Sequence, residues 1–472
     1  MHLKQIELKN FRCFDSLEVD LHPRLTVFVA ENGGGKTSVL DAIAAGLSPL
    51  LRVLTSANQR LSGPGIKDTD FSILTGSNGA EFKASFSQIA IRATNDFVWD
   101  EWKPATHGAQ PEHKFGQSQL SELSQILKSY ADGPAKCLPV FAYYGTQRGL
   151  IEIPKRLREK LYKAQNYDYP TSGLYGALDA QSDFKEMLKW FDAEEGAELR
   201  SQKETDGYGR SQALDAVRHS ISAVLGEEYY DPHFDGKHKF CVRSKGEPKK
   251  LQVSQLSQGY QSVLAMVMDF ARRLALCNRH LGDGNYGANV WESALEYYRT
   301  WNELEEEDEL PFVTLGPLLA PAIMLVDEID LHLHPSWQQR ILDDLTRAFP
   351  HTQFIVTTHS PQVLTTVKRE NIRVLGRDAD GKWQASLPEH SSFARESKDA
   401  LAYVMGVDPL PVQTDAQRAF QEKLRTYEQF VRQGLKDSPE AQELRGQIDA
   451  SGYEIPAANL ELWNFLANRK HG

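Results

Sequence analysis

The sequence predicts an α/β fold organised around a parallel sheet. Three short apolar runs rich in β-branched residues carry that expectation: Leu25 to Ala30, Ile323 to Val326, and Gln353 onward to Ser360. Runs of this length without polar alternation suit strands buried on both faces. An amphipathic pattern opens at Lys36, with Val39, Leu40, Ile43, Ala44 and Leu47 on one face, and predicts a helix directly after the first run.

The remaining elements follow in chain order. The opening MHLKQIELKNFRCF alternates and predicts an edge strand, not a signal peptide. Ala80 to Arg92 reads as β-structure of the first lobe, Pro104 to Gln119 as a polar loop, and Cys137 to Tyr144 as a buried strand. Ser182 to Leu199 and Ser211 to Leu225 read as compact helices without sustained heptads, which disfavours a long coiled-coil arm. Ile372 to Leu375 and Trp383 to Leu387 flank Asp378, Asp380 and Gly381, so this single DxD reads as a hairpin turn and not as a metal-binding nuclease motif. Phe420, Leu424, Tyr427, Val431 and Leu435 share a helical face, Ser438 with Pro439 starts another helix, and Leu460, Leu462, Trp463, Phe465 and Leu466 give a last apolar surface.

Between strand and helix, Ala30-Glu31-Asn32-Gly33-Gly34-Gly35-Lys36-Thr37 has the chemistry of a phosphate cradle. Glycines let backbone N–H groups turn inward around phosphate oxygens, and the positive end of the following helix, opening at Lys36, Thr37 and Ser38, adds to the same anion. Lys36 is placed to reach the β- and γ-phosphates of a triphosphate, and the Thr37 hydroxyl to hold Mg2+. Ala30 stands where glycine is usual, which alters loop geometry without abolishing binding. Asp327 and Glu328 emerge at the carboxyl end of the second run, where parallel sheets bind ligands. Asp327 suits Mg2+ coordination and Glu328 the base that polarises an attacking water. His359, directly after the third run, can contact a γ-phosphate.

With Leu256 to Gln261 (LSQGYQ), these stretches resemble the Walker A, signature, Walker B and switch-histidine motifs of ABC-type AAA ATPases related to RecF, SMC and OLD proteins; DEIDLHLHPSWQ is the most specific phrase. The resemblance implies an ABC/RecF-like P-loop ATPase with a mixed sheet, an inserted helical lobe and a C-terminal helical appendage. It implies residues 1–376 as the ATPase domain, with a first lobe at 1–150, the helical insert at 151–235 and a signature and Walker B lobe at 236–376. Residues 377–472 are then a hairpin and helical docking region. In that family the signature of one subunit covers ATP bound by another, which gives Ser257, Gln258 and Gly259 to the partner's γ-phosphate. Gln258 and Tyr260 depart from the commoner LSGGQ. Family position makes Gln147 a Mg2+-sensing glutamine, with Arg148 an alternative phosphate or partner contact.

Composition agrees with a large-cored machine in the cytoplasm, and no apolar run has the length of a membrane span. Cys13, Cys137, Cys241 and Cys277 show neither disulfide nor zinc spacing, and His332 with His334 reads as structural or nucleotide-linked before metal-binding. A formal charge of −11 argues against indiscriminate coating of nucleic acid, although the basic stretch Lys237 to Lys250 leaves DNA or another nucleic acid open as a local partner. The acidic run from Glu303 to Glu309 reads as a solvated loop or helix end. Across its whole length the chain resembles the PtuA family, the ATPases of the Septu antiphage system, some of whose relatives are encoded beside retrons. That likeness implies ATP and Mg2+ as cofactors, a homo-oligomer built on shared ATP sites, and a separate HNH nuclease of the PtuB kind. The alternative is a RecF-like DNA-repair clamp without a nuclease partner.

Overall fold

The computed structural model describes residues 1–56, 59–75, 79–132, 137–149, 169–180, 184–204, 211–226, 229–246, 250–281, 316–407 and 414–470. They belong to two compact units, Met1–Val407 and Asp408–Gly472. The acidic run from Glu303 to Glu309 lies outside the described residues, as do residues 151–168, 181–183, 205–210 and 227–228 of the expected insert and 247–249 of the basic stretch.

In the first unit, β1 (Leu3–Phe11), β2 (Phe14–Asp20), β8 (Phe86–Ala93) and β9 (Val98–Pro104) form an antiparallel sheet in the order β2-β1-β8-β9. The opening strand is therefore interior and not at an edge, because it pairs with β2 on one side and β8 on the other. Its alternation reflects one buried face, which looks the same in sequence at either position. Two short hairpins, β4–β5 (Thr55–Ser56, Gln59–Arg60) and β6–β7 (Ile73–Thr75, Glu81–Lys83), lie between.

The second sheet has the order β10-β14-β15-β3-β16-β17: β10 (Val140–Tyr144), β14 (Ala322–Val326), β15 (Thr352–Thr357), β3 (Leu25–Val29), β16 (Ile372–Arg377) and β17 (Trp383–Ser386). The first five run parallel and β17 returns antiparallel, so the sheet is mixed. Every residue of β10, β14 and β15 is buried, the condition under which apolar runs need no alternation. This sheet puts the ends of β3, β14 and β15 side by side. The β16–β17 hairpin belongs to it, and Ala400 and Val404 of the following segment join its core. The compact unit thus extends to Val407, beyond the expected limit at residue 376.

Helix α1 (Lys36–Arg52) follows β3, and α2 (Gln117–Asp132) precedes β10, so the expected polar loop from Pro104 to Gln119 is shortened by β9 at one end and by the first turn of α2 at the other. The helices α3 (Phe184–Glu204) and α4 (Gln212–Leu225), and the three-stranded sheet of β11 (Tyr229–Phe234), β12 (Phe240–Ser244) and β13 (Lys250–Gln252), lead to α5 (Gln258–Cys277). From Ser262 onward every residue of α5 is buried, so it is a core helix packed by α3, α4 and β10. Asp269 lies inside this core, where Arg272 (2.6 Å), Arg273 (2.7 Å) and the Tyr144 hydroxyl (2.9 Å) satisfy it and tie α5 to β10. The paired arginines hold its carboxyl far below the usual range despite burial, which acts the other way.

The short helices α6 to α9, between 335 and 403, belong to the first unit; the described residues of the second unit form three helices, α10 (Asp415–Arg432), α11 (Pro439–Ala450) and α12 (Ala457–Lys470). Thr414 and Ser438 cap the first two. Tyr427, Val431, Ile448 and Trp463 form its own core, while Leu435 lies past the end of α10 and Leu462 and Phe465 are exposed. The four cysteines are free. Among the described residues no helix is long and apolar enough to cross a membrane.

Candidate functional site

The loop after β3 starts from its glycines. Gly33 (φ 79°) and Gly35 (φ 85°) adopt left-handed backbone that other residues rarely take. A Cβ at Gly34 would stand 2.6 Å from the Cβ of Ala30, so the alanine at the head of the loop is accommodated only because position 34 has no side chain. Gly35 is the N-cap of α1 and brings no capping side chain, leaving the first-turn N–H groups available to an anion. Glu31, Asn32, Gly33 and Thr37 are exposed around this rim.

Lys36, by contrast, is buried. Its Nζ donates to the carbonyls of Ala30 (2.8 Å) and Glu31 (3.2 Å), folding the side chain over the loop. Burial pulls the ammonium below its ordinary pKa, opposed by the nearby carboxylates of Asp327, Glu328 and Asp330. Three carboxylates near one lysine leave the site rich in negative charge, which a triphosphate would enter favourably only with a divalent cation.

Asp327 joins the loop to the rest of the site. Its two oxygens accept from Thr37 Oγ1 at 2.8 Å and Thr357 Oγ1 at 2.6 Å. The Thr37 hydroxyl and the Asp327 carboxylate are thus in contact, the oxygen donor set a Mg2+ ion shares with substrate phosphates.

Glu328 has φ 48°, a left-handed conformation that costs a non-glycine residue about 1–3 kcal/mol. Its N–H donates to Thr357 Oγ1 at 2.7 Å, and the next N–H, of Ile329, donates to the Thr357 carbonyl at 2.9 Å. Arg148 is buried behind this turn and donates to the carbonyls of Gly145, Asp327 and Glu328. Desolvation lowers its pKa to about 10 against the pull of Asp327, Asp330 and Glu328, so it stays charged near neutral pH. The expected alternative of a phosphate or partner contact at Arg148 does not match this placement: its donors face backbone carbonyls of its own chain. Gln147, beside it in the turn Thr146–Gly149, is exposed.

His359 is half-buried after β15, with its N–H 3.3 Å from Asp330 Oδ1. Asp330 also accepts from Thr358 Oγ1 at 2.5 Å, and Gln338 accepts from Ser360 Oγ at 2.7 Å while donating to the Leu333 carbonyl at 2.9 Å. The segment from Asp330 to Gln338 is therefore laced to the His359 turn. His334 caps α6 (Pro335–Gln338), its Nδ1 accepting from Ser336 N at 3.3 Å, which is a structural use of the HxH.

The signature stretch packs on the segment that follows Asp330, through Gly259 and the His332 carbonyl. Ser257 and Gln258 are exposed at the start of α5, and the Ser257 hydroxyl makes no cap hydrogen bond to its own helix. Gly259 is buried because a Cβ there would meet the His332 carbonyl at 2.4 Å. Tyr260 packs edge-on against Tyr229 (5.0 Å between centroids) and Trp337 (4.6 Å). The structure thus brings Lys36, Thr37, Asp327 and Glu328 together, with His359 beside them through Asp330, and leaves Ser257 and Gln258 facing outward. Sequence reasoning missed Thr357, Asp330 and Gln338. Hydroxyl and carboxamide side chains in VTTHS and HPSWQ were the available signal, since buried polar groups need partners.

Asp378, in the β16–β17 turn, accepts through Oδ1 from the N–H groups of Asp380 (3.0 Å) and Lys382 (2.8 Å), and Gly381 has φ 78°. The DxD serves its own hairpin.

Comparison with known proteins finds family matches in two parts of the chain. An AAA-domain model matches residues 5–218, and a second AAA-domain model, described as a putative AbiEii toxin of a type IV toxin–antitoxin system, matches residues 244–365. The chain is 25% identical to the retron Vc95 probable ATPase of Vibrio cholerae serotype O1 biovar El Tor, over 94% of this chain and 86% of the relative. It is 27% identical to the retron Ec83 probable ATPase of Escherichia coli, over 79% and 71%. A shorter match, 32% identical to the Septu protein PtuA of Bacillus thuringiensis, spans 22% of this chain and 27% of that one. The chain is thus similar to the probable ATPases of two retrons along most of its length, and to a Septu protein PtuA over part of it.

Proposed function

We propose that this AAA-type ATPase binds and hydrolyses ATP with Mg2+ at sites shared between two copies, and that it is the regulatory subunit of an antiphage complex with a separate HNH nuclease. The observation that carries the shared site is the division of the motifs within one chain. Lys36, Thr37, Asp327 and Glu328 converge, while Ser257 and Gln258 point their unengaged polar groups outward. A second copy presenting its α5 tip to the Gly33–Gly35 loop completes the site.

In this reading the backbone N–H groups of Gly33 to Ser38 and the Lys36 ammonium take the β- and γ-phosphates, with Asn32 at the rim. Thr37 and Asp327 hold Mg2+, and Gln147 joins from the turn after β10. Bound with the triphosphate, the ion would neutralise charge on the transferring phosphoryl group. Glu328 accepts a proton from the attacking water, and His359 contacts the γ-phosphate from the β15 side. A cavity of about 490 Å³ lined by Arg12, Cys13, Phe71 and Arg377 offers room for the nucleoside end. Binding energy spent equally on open and closed copies shifts nothing, so control of a partner requires the ATP-bound pair to be the preferred arrangement.

The defence role rests on likeness to retron ATPases over 94% of the chain, with the partial Septu match as the reason for naming a nuclease partner. Co-expression with the product of the neighbouring reading frame tests it, and the reading expects that product to carry an HNH motif. The reading expects co-purification and phage protection that Lys36→Ala abolishes. ATPase strongly stimulated by DNA in the isolated chain, with no nuclease bound and steep salt dependence, would favour the RecF-like clamp.

A further inference from the structure

We infer that Arg148 is a positioning residue for Glu328: its guanidinium holds the turn that fixes where the Glu328 carboxylate stands. The inference rests on the reading of Glu328 as the base and adds a residue that this reading did not use.

The argument starts from strain. Glu328 keeps a left-handed backbone (φ 48°) at the end of a strand, and such a conformation persists only where surroundings over-determine it. Here they do. The Asp327 N–H donates to the Tyr144 carbonyl at 2.9 Å and the Glu328 N–H to Thr357 Oγ1 at 2.7 Å. The Glu328 carbonyl closes the turn by accepting from the Leu331 N–H at 2.9 Å, and Arg148 donates to it and to the Asp327 carbonyl from opposite arms of one planar group. The same guanidinium holds Gly145 O at 3.0 Å, so it rivets the β14 turn to the turn that ends β10. A planar fork suits this task as a lysine ammonium does not, because two donors at fixed separation specify the orientation of two consecutive carbonyls.

The placement also has reach. The turn that Arg148 belongs to contains Gln147, and its strand is tied to α5 through Tyr144 and Asp269. A shift of the β10 end therefore reaches the Glu328 turn through Arg148 as well as through the bond from the Asp327 N–H to the Tyr144 carbonyl, and Arg148 couples the geometry of the base to the state of that turn.

The test is a double-mutant cycle on the full chain, read as ATP affinity, KM and kcat, with thermal melts as a control. Arg148→Met is expected to lower kcat by about 10²-fold while KM stays within about threefold, since a misplaced group costs turnover more than binding. Arg148→Lys should recover part of the loss. In a Glu328→Gln background, Arg148→Met should change the residual turnover less than about threefold, because residues acting as one unit are non-additive. An equal fall in both backgrounds overturns the inference and assigns Arg148 to general stability. Unchanged kcat in Arg148→Met beside a slow Glu328→Gln overturns it while leaving the base in place. Full turnover in Glu328→Gln removes the base reading and this inference with it. Should Arg148→Met not fold, Arg148→Lys alone decides: a kcat loss that vanishes in the Glu328→Gln background supports the inference, and one that persists sinks it.

Discussion

The cradle after β3 and the tip of α5 carry the same kind of chemistry, polar groups suited to a phosphate, yet they are treated oppositely by the fold. At the cradle the side chains are engaged: Lys36 on two carbonyls, Thr37 on Asp327, Asp327 on Thr357. At the tip, Ser257 and Gln258 are exposed and Ser257 leaves its own helix uncapped, although serine is among the best caps. The fold engages the side chains of the cradle within the chain and leaves the Ser257 hydroxyl off its own helix, and the proposed sharing of one site by two copies rests on that contrast.

The largest expected effect breaks the engaged half. Lys36→Ala should weaken ATP binding by about 10²-fold or more, read by retention of labelled ATP with Mg2+, because it removes the charged donor at the centre of the cradle. Its melting temperature should hold, since burial already disfavours the ammonium. Glu328→Gln comes next: hydrolysis should fall about 10²–10⁴-fold with binding intact, and the ATP-bound pair should accumulate on a sizing column. Tyr260→Gln sharpens the other half. It restores the commoner signature residue but loses two aromatic contacts, so stability should drop by roughly 1–3 kcal/mol in a denaturant melt, without a gain in turnover. Smallest is Asp378→Asn, which should change stability by no more than about 1 kcal/mol and leave ATP turnover alone, since that carboxylate serves only its hairpin.

The cradle was legible because its chemistry is local in sequence. Glycines, lysine and threonine within eight positions fix the loop, and uninterrupted apolar runs such as Ile323 to Val326 give buried strands. The C-terminal hairpin turn was legible for the same reason. What escaped reading depends on pairing across distance. The first strand alternates alike whether interior or at an edge, and only its partners β2 and β8 decide. The boundary near Val407 was hidden because nothing in the β16–β17 hairpin says that β16 pairs with β3, some 350 positions earlier. Arg148 looked like a phosphate ligand because arginine suits phosphate, and its burial against the carbonyls of Asp327 and Glu328 is a fact of tertiary packing. Tyr260 looked like a defect in a motif, and its place between Tyr229 and Trp337 shows a packing residue.

The sharing of one site by two copies is tested most directly by mixing two inactive variants, Lys36→Ala and Ser257→Arg, each damaged in a different half. The account predicts negligible ATP turnover from either alone and recovered turnover on mixing, because a mixed pair contains one site with both halves intact. Wild-type turnover by Ser257→Arg alone, or no recovery from a mixture shown to contain mixed pairs, would contradict it.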